Sequence, residues 1–177
     1  SDDLRTSLIG SSYRREGLIT YFAYAGIFFC GYLLKEKHLF SKVLQWFVWT
    51  SSLLALLMLL DIEVLNRLFT FHENSAVFYN INHFAYYLCM AIMSTAAVYM
   101  MGRDLDPHRK QYLVCLVVLV AALVKNKSFG PYLAVVAGLL FLFTAVKLYD
   151  RSHMKNLIRI IGVFAFSSLA ANLLYGE

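Results

Sequence analysis

Long runs of apolar residues alternate with short polar segments along this chain. The runs cover residues 18–34, 43–60, 81–101, 112–124, 131–149 and 157–175. A helix needs about 20 apolar residues to cross the hydrocarbon layer of a bilayer, within a range of about 17–25. The runs are continuous, whereas a membrane β-barrel requires alternation, and a helix satisfies its own backbone groups in lipid. The pattern therefore predicts an all-α fold, a polytopic transmembrane helix bundle of about six helices.

The fourth run is short, and its N-terminal flank is suited to lengthen it. Asp106 can cap this helix, and Pro107 fits its first turn. Two segments do not follow the apolar pattern. Residues 1–17 form a polar N-terminal segment, and residues 61–79 mix charged with apolar positions. The mixed pattern of the second segment indicates either an amphipathic helix that lies in the membrane interface or the polar ends of two helices around a loop. We find no repeat or linker and expect a single transmembrane domain over residues 1–177.

The composition strengthens the membrane assignment. The chain is 60% hydrophobic and 15% charged, with a mean hydropathy of +0.61. Soluble domains carry roughly 25% charged and 45–50% apolar residues. These values exclude an ordinary soluble domain, a disordered chain and a nucleic-acid-binding module. The net charge of +5 is then best explained by basic residues that flank the spans and contact lipid headgroups.

The basic residues also predict an orientation. If every run spans the membrane, alternate sides carry six and ten Lys and Arg residues. The richer side is expected to be cytoplasmic, which places the N-terminus on the outer or lumenal side. The expected partners are membrane lipids, together with a protein partner or a second copy of the chain.

A spacing of 11 residues separates Asp61 from His72 and His72 from His83, which is about three helical turns each. Two imidazoles and a carboxylate suit zinc with an open position for water, and Glu73 could then act as a base. One continuous helix would spread the three groups over about 33 Å, so a shared zinc ion requires the chain to fold back. The alternative interpretation is polar side chains in contact with headgroups or water.

Polar residues also open the third span: Asn80, Asn82, Tyr86 and Tyr87. With His83 they could line a cavity or form hydrogen bonds between helices. A haem needs two axial ligands on facing helices, and His83 is the one histidine placed well within a span, so haem is not favoured.

Small and weakly polar residues mark two further spans. Ala134 and Gly138 in the fifth span, and Ser167, Ser168 and Asn172 in the sixth, favour close helix packing and hydrogen bonds between helices. The cysteines Cys30, Cys89 and Cys115 are isolated within apolar runs and are interpreted as small buried side chains.

Residues 86–149 resemble part of a known group of membrane proteins. The resemblance consists of an acidic and basic loop, a short helix, the Gly130-Pro131 step and a further helix. This layout is similar to the middle helices of myomaker-like proteins, within the CREST superfamily of seven-helix membrane proteins that includes hydrolases. The resemblance implies an outer N-terminus and a zinc site of one serine, one aspartate and three histidines, two of them in HxxxH. The chain contains no HxxxH motif, and Asp61 and His83 are its candidate ligands.

Three functions follow from these observations. Because ionisable groups are scarce within the spans, we expect a non-enzymatic sensor, scaffold or assembly component that acts through helix packing and through partner or lipid binding. The first alternative is a zinc-dependent lipid hydrolase that uses Asp61, His72 and His83. The second is a small-molecule or lipid transporter, in which polar side chains between Asn80 and Tyr87 would line a cavity.

Overall fold

The computed structural model of the chain describes residues 7–8, 18–33, 37–60, 81–102 and 109–176. The helices in these ranges are α1 (Leu18–Leu33), α2 (Lys37–Leu59), α3 (Ile81–Met101), α4 (Arg109–Lys125), α5 (Phe129–Tyr149) and α6 (Met154–Tyr175). A single 3-10 turn, Arg151–His153, precedes α6. The described ranges contain no strand, so the all-α prediction is confirmed.

The helices follow the apolar runs, with differences at their N-terminal ends. α2 begins at Lys37, six residues before its apolar run, because lysine is a good helix former and can extend a helix into the polar layer. α4 begins at Arg109, which agrees with the expected N-terminal extension, although Asp106 and Pro107 lie outside the described residues. α5 begins at Phe129, two residues before Pro131, since proline is tolerated within the first helical turn.

Four of these helices are long and apolar enough to cross a membrane. The candidate spans are Leu39–Leu59, Ile81–Met101, Phe129–Tyr149 and Arg151–Tyr175. α1 and α4 are not among them, with 16 and 17 residues respectively. The chain is therefore compatible with an integral membrane protein, and membrane crossing by α1 and α4 stays a prediction.

The chain divides into two compact units, residues 1–42 and 43–177, and the boundary falls within α2. The first unit contains α1, where Tyr21 and Tyr24 form an edge-to-face ring pair with centroids 6.2 Å apart. The second unit contains the rest of α2 and all of α3 to α6. The organisation of residues 1–177 as a single domain stays a prediction.

The core of the second unit lies around α3 and α4. Many of their apolar side chains are fully or almost fully buried, among them Phe84, Leu88, Ile92, Leu116 and Leu119. α4 packs against both α3 and α6, and α5 packs against the same two helices. Half of the α3 span is buried, against 22% of the α5 span, so α3 is central and α5 peripheral.

Side chains connect the part of α2 in the second unit, and α5, to this core. Ser51 Oγ on α2 forms a 2.7 Å hydrogen bond with Tyr87 Oη on α3. Trp49 on α2 lies against Tyr112 on α4, with ring centroids 6.1 Å apart. On α5, a Cβ built at Gly138 would lie 2.9 Å from Cε of Met93 on α3, so this glycine permits the close packing expected from the sequence.

Candidate functional site

The expected metal site lies largely outside the described residues. Asp61, His72, Glu73 and Asn80 fall within residues 61–80, which the structure does not describe. His83 is exposed on the first turn of α3. Among the described ranges, no three or more His, Cys, Asp or Glu side chains are grouped so that they could hold a metal ion. The zinc arrangement therefore stays a prediction.

The polar residues at the start of α3 point in different directions. Tyr86 is 56% exposed, whereas Tyr87 is half-buried, bonds to Ser51 and packs against Phe47 with ring centroids 5.5 Å apart. Asn82 Oδ1 lies 3.4 Å from Ser128 Oγ. Tyr87 therefore forms a hydrogen bond between helices, which is one of the two roles expected for this group of residues.

Polar contacts between helices are concentrated at the C-terminal end of α4. Lys125 Nζ donates to the carbonyl oxygens of Met58 and Leu59, at 3.3 and 3.2 Å, and lies 5.5 Å from the ring centroid of Tyr175. The last carbonyls of a helix have no partner within the helix. Lys125, at the end of α4, donates hydrogen bonds to two such carbonyls at the end of α2. The C-terminal ends of α2, α4 and α6 are thereby held at one end of the second unit.

The turn between α4 and α5 is fixed by Asn126. This side chain is 4% exposed, its Nδ2 donates to the Ile81 carbonyl at 3.2 Å, and its Oδ1 accepts from Ser128 Oγ at 2.6 Å. The next residue, Lys127, has φ of 57°, in the left-handed region that non-glycine residues seldom occupy. The buried asparagine holds the turn in a shape that leaves Lys127 exposed.

Beside this turn lies a cleft between the end of α4, the start of α5 and the C-terminal half of α6, which we call the α4–α6 cleft. Its volume is about 700 Å³. Its apolar lining consists of Leu123, Val124, Phe129, Phe164, Ala165 and Leu169. Polar atoms are contributed by Lys127, Ser128, Tyr132, Ser168, Asn172 and Tyr175. Small-molecule sites have volumes of roughly 300–1,000 Å³ and a mostly apolar lining with a few polar groups, so this cleft has the character of a ligand site.

Two features distinguish the lining of the cleft. Phe164 and Tyr132 lie against each other, with ring centroids 5.5 Å apart, and join α6 to α5. Ser168 is 8% exposed, and its Oγ has no hydrogen-bond partner among the described residues. By contrast, Ser52 and Thr95 donate to the carbonyls four residues earlier on their own helices, at 2.8 and 2.7 Å.

Among the residues that the structure describes, the charge in the cleft lining is positive. Lys127 lines it, and none of the described lining residues is acidic. The first turn of α5 contains no acidic residue, and its N-cap residue Ser128 makes no side-chain cap hydrogen bond. The positive end of the α5 dipole is therefore not offset by a carboxylate from its own first turn.

The cleft was not predicted from the sequence, although one signal was available. Ala165, Ser168 and Asn172 follow a spacing of three and four residues, which places small and polar side chains on one helical face. Ser168 and Asn172 had been assigned to helix packing. The structure places both at the cleft and gives Ser168 Oγ no partner on a neighbouring described helix.

Comparison with known proteins does not assign this chain to a group. No protein-family model, curated protein or solved structure matches it. The resemblance of residues 86–149 to myomaker-like proteins therefore stays an expectation.

Proposed function

We propose that this protein is a non-enzymatic membrane component that binds a membrane lipid in the α4–α6 cleft and acts through helix packing. The observation that carries the proposal is the cleft itself, with a volume of about 700 Å³, apolar walls and a small set of polar groups. A lipid matches this lining because it combines an apolar chain with a polar head. A bound lipid would contact α4, α5 and α6 together and would therefore stabilise one arrangement of these helices.

The cleft can be tested by filling it. Ala165 is exposed and lines the cleft, so Ala165→Phe should exclude a lipid chain without disturbing the core. Steric conflict of about 1–3 kcal/mol corresponds to a loss in lipid affinity of about 5-fold to 150-fold. The measurement is the amount of lipid retained by the detergent-purified protein, determined by native mass spectrometry.

Ala137→Phe is the matched control. Ala137 is also exposed but lies on α5 and does not line the cleft. We expect this variant to retain lipid like the unmodified protein. Equal retention by both variants, or no retained lipid in the unmodified protein, would contradict lipid binding in the cleft.

Metal analysis of the same sample separates this proposal from the hydrolase alternative. About one zinc ion per chain, lost in His83→Ala, would support a metal site that includes residues 61–80 and would replace the non-enzymatic proposal.

A further inference from the structure

We propose that the α4–α6 cleft selects a phospholipid with an anionic headgroup, and that Lys127 and Ser168 contact its polar atoms. This inference rests on the proposed lipid binding and adds the chemical class of the lipid. It assigns the headgroup to the α4–α5 turn and an ester carbonyl of the lipid to Ser168.

The charge of the lining favours a negative headgroup. Lys127 is exposed and is the one charged residue of the described lining. A lysine close to a membrane surface attracts anionic lipid with an energy that corresponds to about fivefold in affinity. The same lysine would repel a cationic ligand.

The start of α5 adds to this preference. The first N–H groups of a helix have no partner within the helix and attract anions. Ser128 Oγ donates to Asn126 Oδ1 at 2.6 Å and does not cap α5. A phosphate oxygen beside Phe129 could accept from this turn while Lys127 supplies the full positive charge.

Ser168 provides the second contact for the lipid. Its hydroxyl is buried and has no partner among the described residues, which is unfavourable unless a ligand supplies an acceptor. Because Ser168 belongs to the cleft lining, an ester carbonyl of a lipid in the cleft is a suitable acceptor. A free phosphate ion has neither this carbonyl nor the apolar chain that the remaining lining matches.

The test measures binding of phosphatidylglycerol and phosphatidylcholine with identical acyl chains to the detergent-purified full chain. We expect the unmodified protein to prefer phosphatidylglycerol by about fivefold. Lys127→Asn should weaken phosphatidylglycerol binding more than phosphatidylcholine binding and so abolish this preference. Asparagine suits the test because it tolerates the left-handed backbone at this position. Lys127→Arg should retain the preference, as should Lys155→Asn, which alters an exposed lysine near the start of α6.

The Ser168 contact has its own readout. Ester-linked phosphatidylglycerol should bind more tightly than its ether-linked analogue, which lacks the carbonyl oxygens. Ser168→Ala should remove this difference while keeping the headgroup preference, a result that a merely structural role for Ser168 would not produce.

The outcomes separate this inference from the proposed function. Equal binding of the two headgroups by the unmodified protein would overturn anionic selectivity but leave lipid binding intact, whereas binding of neither would overturn both. Tighter binding of oleate than of phosphatidylglycerol would identify a fatty acid as the ligand and overturn the phospholipid assignment. Binding of inorganic phosphate without binding of either phospholipid would also overturn the phospholipid assignment.

Discussion

Single polar side chains determine the local structure at the end of the helix bundle that carries the cleft. Asn126 is 4% exposed, and it joins the α4–α5 turn to the first carbonyl of α3. The sequence does not reveal the burial of Asn126, because this burial depends on contacts with residues that are distant in sequence, such as Ile81. Its two hydrogen bonds make it the residue whose removal should most affect the turn.

We therefore expect Asn126→Ala to destabilise the protein. The change removes both hydrogen bonds and leaves the Ile81 carbonyl without its side-chain donor, which costs about 1–3 kcal/mol. The measurement is the free energy of unfolding in detergent with a chemical denaturant. Thr144→Ala is the control, because Thr144 is exposed and its hydroxyl bonds only within its own helix. If both variants unfold at the same denaturant concentration, Asn126 does not fix the turn.

Asp150, between α5 and the 3-10 turn, gives a prediction about protonation. Its Oδ1 accepts hydrogen bonds from Ser152 Oγ at 2.6 Å and from the Ser152 backbone N–H at 3.1 Å, and these lower the pKa of Asp150 below its ordinary value of 3.8. Because the pKa is lowered by folding, the associated stabilisation is present above the ordinary value and is lost as pH falls through the lower, folded value.

Ser152→Ala removes the larger of these two contributions and should raise the pKa of Asp150 towards 3.8. Carboxyl carbon chemical shifts, followed by NMR as a function of pH, measure this pKa directly. Ser128→Ala serves as the control, since Ser128 lies in the α4–α5 turn and makes no contact with Asp150. An unchanged pKa in Ser152→Ala would show that the hydroxyl does not stabilise the carboxylate.

At the scale of the elements, apolar run length predicted the described helices well. Each run corresponds to one helix because helices satisfy backbone hydrogen bonding locally, and lipid imposes that requirement along the whole run. Helix starts were less predictable. The extension of α2 to Lys37 lies in polar sequence, where a charged residue fits either a helix end or a loop.

The packing of α5 on α3 gives a prediction at this scale. At Gly138, Gly138→Ala places a Cβ 2.9 Å from Cε of Met93, but this atom ends a flexible side chain and can move. We expect a change in unfolding free energy within about 1 kcal/mol, because the gain from replacing a helical glycine offsets the contact. Gly138→Leu is too large for the same adjustment and should destabilise by about 1–3 kcal/mol.

Two further variants test the cause of this effect. Met93→Ala in the Gly138→Leu background should restore part of the lost stability, since it vacates the volume that leucine needs. Gly162→Ala is the control on α6, where a Cβ would meet nothing within 4 Å, and it should stabilise by about 0.5–1 kcal/mol. Additive effects of Met93→Ala and Gly138→Leu would indicate that the two residues do not limit the helix separation.

For the whole molecule, the fold class was predictable and the cleft was not. The α6 face with Ala165, Ser168 and Asn172 is visible in the sequence, but its facing wall comes from the end of α4 and the start of α5. Only the packing of α6 against both helices brings these parts together. Residues 61–80, which contain Asp61 and His72, lie outside the described structure, so the predicted zinc site depends on a segment that α2 to α6 do not define.

The second unit also has a strong asymmetry of charge between its ends. At the end with the α4–α6 cleft, the basic residues of the described chain are Lys125 and Lys127. Those at the opposite ends of α4, α5 and α6 are Arg109, Lys110, Lys147, Arg151, Lys155 and Arg159. Since the richer end is expected in the cytoplasm, the cleft should open towards the outer or lumenal leaflet. That orientation would determine which leaflet supplies the lipid that we propose for the cleft.

Cysteine labelling tests this orientation in intact cells. In a background where Cys30, Cys89 and Cys115 are replaced by alanine, Lys127→Cys and Ser152→Cys each place one thiol at an exposed position, at opposite ends of α5. A membrane-impermeant maleimide should label Lys127→Cys directly and Ser152→Cys only after the membrane is permeabilised, and both should react in detergent. The reverse pattern would place the cleft towards the cytoplasmic leaflet. Labelling of both thiols from one side would mean that α5 does not cross the membrane, because a spanning helix must separate its two ends.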